Sequence, residues 1–179
     1  LAYTAVTLSR AEVPFVLTRP GLGLFGYEAV PAMGRLGTSG LTPAMTLHAQ
    51  LGTVKDVEAG HGISYGRTYL TPSDTSTAIV PVGYADGIHR SASGFDMEGA
   101  KHVVKPGGPV RVMTTEGPRL YRVSGRVCMD QFMLDLHGSA EKLGVHEGDT
   151  VQLFGPGRGE DYAEPTADDW GRAAGTISY

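Results

Sequence analysis

The apolar residues of this chain come in short runs, each closed by glycine or proline, and this punctuation limits the fold more than any other feature. The 179 residues include 26 Gly and 11 Pro, about a fifth of the total, with no repeat period that would suggest collagen or a linker. Runs this short, alternating apolar and polar, predict many short strands joined by close turns. Leu47, Ala49 and Leu51 alternate with polar neighbours; Pro109–Met113, Leu120–Cys128, Gln131–Leu136 and Val151–Phe154 read the same way. Ile63–Tyr65 is a short strand between glycines, and Thr77–Tyr84 is a β-branched run in which Pro81 argues for an edge or a bulge. Residues 90–109 read as a polar, glycine-rich loop with room for one short strand, and Thr166 as the N-cap of a helix with acidic residues in its first turn. From about Leu41 onward the expectation is mainly β, an antiparallel barrel or sandwich.

The first forty residues differ. Val13–Thr18 reads as a buried strand, followed by Arg19-Pro-Gly-Leu-Gly-Leu-Phe-Gly26 and then a Gly/Pro-punctuated connection over Val30–Leu41. Pro20 lacks a backbone donor and Gly21 frees the chain to turn. A strand that ends in a glycine turn opening a helix can hold an anion on its backbone amides, or be an ordinary strand-to-helix turn. This segment could be the tail of another domain.

Composition excludes several classes of function. The formal net charge is −4, with 11 scattered Arg and four Lys, which disfavours a nucleic-acid or anionic-membrane partner. The longest apolar run, near Ala78–Val82, is too short to span a bilayer. The lone Cys128 cannot form an intrachain disulfide, in keeping with a reducing, cytoplasmic setting. The six His show no metal-ligand spacing. The chain opens Leu-Ala-Tyr-Thr, with no initiator Met and no signal-peptide pattern, which suggests a piece of a longer protein.

Two motifs carry polar groups at strand ends. In Val82-Gly-Tyr-Ala-Asp-Gly87 a Tyr is held on a tight turn, where its phenol can exchange a proton or simply sit half-buried. In Ser124-Gly-Arg-Val-Cys-Met-Asp-Gln131, Met129 could be core filler and Asp130 a turn cap, while Cys128, between Val127 and Met129, reads as a small buried hydrophobe and not a nucleophile.

Taken in order, these motifs resemble alanine racemase: Arg19–Gly26, Leu41–Leu47, Gly62–Gly66, Val80–Gly87, Gly125–Gln131, Pro165–Trp170 and Gly175–Tyr179. The pairing of Tyr-Ala-Asp-Gly with a downstream Cys-Met-Asp-Gln is highly specific, and the resemblance runs almost the full length. It implies a cytoplasmic, homodimeric, pyridoxal-phosphate-dependent isomerase that interconverts L- and D-alanine for peptidoglycan, with no nucleic-acid or membrane partner and no metal. Its N-terminal domain would be a (β/α)8 barrel. Residues 1–40 would be the last strand and helix of that barrel, and 41–179 a C-terminal β domain truncated at its end.

The resemblance also implies roles, position by position. Tyr84 matches one of two opposed acid/bases, serving the neighbouring subunit's cofactor. Arg19 matches the Arg that faces the cofactor's pyridine nitrogen. Gly21 and Leu22 match phosphate-receiving amides. Thr4 stands where the family has a phosphate-binding Ser in Ala-Asn-Ser, although Tyr3 departs from the Asn. Tyr179 matches a Tyr that contacts the phosphate. Met129 and Asp130 match substrate-site residues, and Arg126 and Ile177 the access channel. None of the four Lys lies in the family's Lys-x-x-Ala-Tyr-Gly-His-Gly context, so the Schiff-base lysine is missing and the chain alone is expected to be inactive and without bound cofactor. An exposed apolar patch is expected near residues 13–25, with 13–18 disordered or abnormally paired. The alternatives are a racemase of serine or of broader specificity, and a non-catalytic β-barrel binding module.

Overall fold

The computed structural model describes residues 2–9, 17–27, 40–97 and 103–178. The chain divides into two compact units, one reaching to Thr46 and the other spanning Leu47–Ser178.

In the first unit, β1 (Ala2–Tyr3) runs into helix α1 (Thr4–Ser9), and β2 (Thr18–Arg19) lies parallel to β1 with Tyr3 opposite Arg19. A 3-10 turn over Gly21–Phe25 follows β2 and ends at Gly26, whose φ is +82°. A Cβ on Gly26 would lie 1.9 Å from the Thr42 carbonyl, so only glycine allows the chain to pass there. The strand expected over Val13–Thr18 falls largely outside the described residues. Its described end, Leu17–Arg19, is exposed and not buried. Most of the connection read over 30–41 is also outside the described residues.

The second unit is mainly antiparallel β, and its strands form separate open sheets. The remaining strands in chain order are β3 (Leu47–Gln50), β4 (Val54–Val57), β5 (Gly62–Ile63), β6 (Tyr69–Leu70), β7 (Thr75–Val80), β8 (Phe95–Met97), β9 (Val103–Lys105), β10 (Pro109–Thr114), β11 (Gly117–Arg122), β12 (Phe132–Asp135) and β13 (Thr150–Phe154). Their orders are β11-β10-β13-β3, β12-β7-β4 and β5-β6-β8-β9; among the described residues of this unit β6 and β8 pair in parallel and the other neighbours antiparallel. Two short helices complete it, α2 (Ala140–Leu143) and α3 (Ala167–Ala174).

The period-2 pattern fixes which side chains meet. Val110 and Val112 on β10, Phe132 and Leu134 on β12, and Val151 and Leu153 on β13 are all fully buried in one cluster. Trp170 of α3 closes it: its ring centroid lies 6.2 Å from that of Phe132, and its indole N–H donates to the Leu153 carbonyl at 2.6 Å. The helix starts where the sequence places it. Thr166 Oγ1 accepts from the Asp169 amide at 3.3 Å, and the Asp169 carboxylate accepts from the Thr166 amide at 2.7 Å.

Three expectations change. Pro81 does not mark an edge: β7 is the central strand of its sheet and stops at Val80, so the proline lies just outside the ladder, where its missing N–H leaves no gap. Residues 90–109 hold a 3-10 turn and two strands, β8 and β9, rather than a loop with one strand. The strand read over Leu120–Cys128 runs instead from Gly117 to Arg122, and Val123 adds an isolated bridge to Leu134.

A buried carboxylate ties the second sheet together. Asp135 accepts from Tyr69 Oη at 3.0 Å, Thr75 Oγ1 at 2.8 Å and the His137 amide at 2.8 Å. On the surface, Arg158 clips the loop before α3 to Glu164 through two side-chain hydrogen bonds of 3.0 and 3.1 Å.

Replacing Trp170 with Ala removes a core aromatic and a buried hydrogen bond, and should cost about 3–5 kcal/mol in denaturant unfolding. The Arg158 guanidinium holds the Glu164 carboxyl down from 4.5 to about 2. Because that pKa is depressed on folding, the clip acts fully above pH 4.5 and is lost as pH falls towards about 2. An NMR titration should therefore show the Arg158 amide resonance moving across that acid window; a Glu164 midpoint near 4.5 would contradict it.

Candidate active site

The site begins where β7 ends. After Pro81 and Val82 the chain reaches Gly83, and a short 3-10 turn follows over Tyr84–Asp86. The turn is closed locally. The Asp86 carboxylate accepts from the Gly83 amide at 2.8 Å, and Gly87, with φ +98°, returns its N–H to the Tyr84 carbonyl. It is also docked on the other motif, since Tyr84 N–H donates to the Cys128 carbonyl and Ala85 N–H to the Met129 carbonyl, both at 2.9 Å. Gly83 makes this contact possible. A Cβ there would lie 2.2 Å from the Met129 oxygen and 2.5 Å from the Cys128 oxygen.

The opposite wall is the segment from Gly125 to Gln131. Gly125 has φ +79°, and a Cβ on it would lie 2.7 Å from the Ile63 carbonyl. Ser64, itself at φ +64°, donates its hydroxyl to the Arg126 carbonyl at 2.7 Å and touches Cys128 Sγ at 3.3 Å. Ser93 links the next segment to the same wall: its hydroxyl donates to the Arg90 carbonyl and accepts from the Val127 amide at 2.9 Å.

These segments surround an open cavity of about 1000 Å³ whose lining includes Tyr84, Arg90, Arg126, Cys128, Met129 and Asp130, and also Ser64, Tyr65 and Gln131. Tyr84 is 40% exposed and Met129 54% exposed, so neither is core filler. The Arg90 guanidinium carbon stands 5.4 Å from the centroid of the Tyr84 ring, over its face. Cys128 is half-buried on the cavity wall and not the fully buried hydrophobe expected, because its sulfur meets a hydroxyl where a core site would offer apolar partners.

The structure thus brings together Tyr84, Arg126, Met129 and Asp130. Ile177 lies in the same unit, 58% exposed, and is not among the residues lining the cavity. Arg19, Thr4, Gly21 and Leu22 belong to the first unit, and Tyr179 is outside the described residues. Sequence reasoning assigned no role to Ser64, Tyr65, Arg90 or Gln131. The glycines around Ile63–Tyr65 were a signal of close backbone approach; nothing local marks Arg90.

Within the first unit, Thr4 and the glycine turn meet. Thr4 Oγ1 accepts from the Gly23 amide at 3.3 Å, and a Cβ on Gly23 would lie 2.9 Å from Thr4 Cγ2. Arg19 precedes this turn at the C-terminal end of a parallel strand pair. A hydroxyl, a turn whose leading amides of Gly21 and Leu22 lack intrahelical acceptors, and a neighbouring cation make a donor set suited to a phosphate ester. Among the described residues no group of three or more His, Cys, Asp or Glu could hold a metal ion, and no helix is long and apolar enough to cross a membrane.

The chain has relatives among known proteins. The sequence pattern of the alanine racemase C-terminal domain matches residues 44–179. Alanine racemases of Mycobacterium tuberculosis and Beutenbergia cavernae are 43% and 47% identical over 180 aligned residues, covering 100% of this chain and 40% and 41% of theirs. Among solved structures, the alanine racemase of Streptomyces coelicolor superposes with a TM-score of 0.81 at 43% identity, over 99% of this chain and 40% of its own. That of Bacillus anthracis with bound L-Ala-P gives 0.74 at 30% identity, over 99% of this chain and 40% of its own. The chain spans about two fifths of the length of these relatives. On these matches the chain belongs to the alanine racemase family, of which it carries the C-terminal domain.

Proposed function

We propose that this chain is part of an alanine racemase that interconverts L- and D-alanine, with Tyr84 as one of two opposed acid/base groups. The observation that carries the reading is the docking of the Tyr84 turn on the Cys128 and Met129 carbonyls, which holds an exposed phenol at the rim of a cavity shared with Arg126, Met129 and Asp130. Racemisation needs a proton taken from one face of the α-carbon and returned to the other. Tyr84 serves one face. The opposing group is a lysine outside this chain, since none of the four Lys here has the required context.

Pyridoxal phosphate, when bound, supplies the sink for the electron pair released at the α-carbon. Thr4 and the Gly21 and Leu22 amides would hold its phosphate, joined by Tyr179. Arg19, a permanent cation with no acceptor, would leave the ring nitrogen it faces unprotonated. The Met129 amide and Asp130 orient the substrate carboxylate end, while Arg126 and Ile177 line the access channel. Residues 1–40 are the end of a (β/α)8 barrel and 41–179 the β domain. The active protein is a cytoplasmic homodimer in which Tyr84 serves the neighbouring subunit's cofactor, and its D-alanine supplies peptidoglycan.

The test is racemisation of L-alanine with added pyridoxal phosphate, followed by circular dichroism, on the full-length gene product and on this chain side by side. The full-length protein should be active and this chain inactive. A full-length protein without activity on alanine would sink the substrate assignment; activity in this chain would sink the account of the missing lysine. In the full-length enzyme, Tyr84→Phe should lower kcat by about 100-fold or more, the usual loss when a positioned acid/base is removed.

A further inference from the structure

We propose that Arg90 is a positioning residue that fixes the ring plane of Tyr84, an inference that rests on the acid/base reading of Tyr84. Tyr84 is 40% exposed, and no hydrogen bond to its hydroxyl is made among the described residues. Its backbone is pinned, but nothing in that backbone docking decides the tilt of the ring. Arg90 does: its guanidinium lies over one face at 5.4 Å from the centroid, and both side chains line the same cavity. A planar cation against a ring face favours one orientation through the ring quadrupole and blocks the opposite tilt sterically.

The arginine is itself held for this purpose. Its 3-10 turn, Arg90–Ala92, is anchored by Ser93, which is 2% exposed and bonds both the Arg90 carbonyl and the Val127 amide. Gly94 N–H donates to the Gly125 carbonyl at 3.1 Å, and a Cβ on Gly94 would lie 2.0 Å from the Val123 oxygen. The backbones of Tyr84 and Arg90 are thus referenced to one rigid segment, Val123–Met129, from its two ends. The charge of Arg90 is also unclaimed. Arg122, Arg158 and Arg172 each pair with a carboxylate, whereas among the described residues Arg90 meets none. Among the described residues its guanidinium meets the Tyr84 ring face.

The experiment uses the full-length holoenzyme. Arg90→Gln should lower kcat roughly 3- to 30-fold, the range that a contact of this kind corresponds to, with KM unchanged. Arg90→Lys, which keeps a cation over the ring, should recover most of that loss. With α-deuterated alanine, Arg90→Gln should raise the isotope effect for one enantiomer only, the same one affected in Tyr84→Phe. In the Tyr84→Phe background Arg90→Gln should add nothing to the loss in kcat. A readout independent of turnover is 19F NMR of 3-fluorotyrosine at position 84 in the cofactor-free full-length protein: one ring orientation with Arg90, two with Arg90→Gln. The inference is overturned if Arg90→Gln leaves kcat and the fluorine spectrum unchanged, or if its effect is fully additive with Tyr84→Phe while the latter is impaired. If Tyr84→Phe itself keeps the parent rate and isotope effects, the acid/base reading falls, and the Arg90 inference with it.

Discussion

The second unit is organised around one close approach of backbone to backbone, Gly83 against the carbonyls of Cys128 and Met129. With φ −138° and ψ −162°, Gly83 is in ordinary extended geometry, so left-handed freedom is not the reason for the glycine. The reason is space: any side chain would occupy the volume of two carbonyl oxygens. With the gap closed, the Tyr84 and Ala85 amides find acceptors in those two carbonyls. The contact also fixes the distance between β7 and the segment leading into β12, two strands that pair in register from Val80 opposite Phe132 to Thr77 opposite Asp135. A shift of one residue would turn Phe132 and Leu134 out of the core and lose the contact at Gly83 together.

The core below serves to keep that register. Phe132 is held by Trp170, and Trp170 by the capped helix α3, whose Arg172 joins Asp169 and Glu160 while Glu160 takes Arg122 of β11. Asp135, at the far end of the same strand pair, gathers donors from β6 and β7 as well as the His137 amide two residues on. A polar pin at one end and an aromatic pin at the other leave β12 no freedom to slide. The rigidity of the cavity wall is borrowed from these contacts, none of which lies in the cavity.

Features set by neighbours in sequence were legible. The alternation of β10, β12 and β13 announced their buried faces, Thr166 with Asp169 announced a helix start, and Asp86-Gly87 announced the tight turn that carries Tyr84. The resemblance linked Tyr84 to Arg126, Met129 and Asp130, and the fold brings all four to one cavity. What escaped depends on distant partners. Ser64 adopts a left-handed φ because the Arg126 carbonyl and the close pass at Gly125 hold it there, and no local pattern in Ile-Ser-Tyr demands that. Arg90 sits in a polar stretch that reads as loop, and its place over a tyrosine six positions earlier is set by Ser93 and Gly94 docking on Val127 and Gly125, distant in sequence. Pro81 misled for the opposite reason. The rule that keeps proline out of central ladders is local and correct, but it constrains the residue and not the strand, which simply stops one position before it.

The exposed side chains around the cavity complete the picture. Tyr65, Tyr84 and Met129 are 75%, 40% and 54% exposed. Single exposed apolar residues are unremarkable, but these three line one cavity together with two arginines that have no carboxylate partner among the described residues. In the acid/base role proposed for it, Tyr84 has to stand proud of its own domain to reach a substrate. A tyrosine buried deeply enough to be fixed by packing would be out of reach. The structure resolves the conflict by fixing the backbone of Tyr84 tightly, leaving its ring in the open, and setting a cation from an equally anchored turn against the ring face.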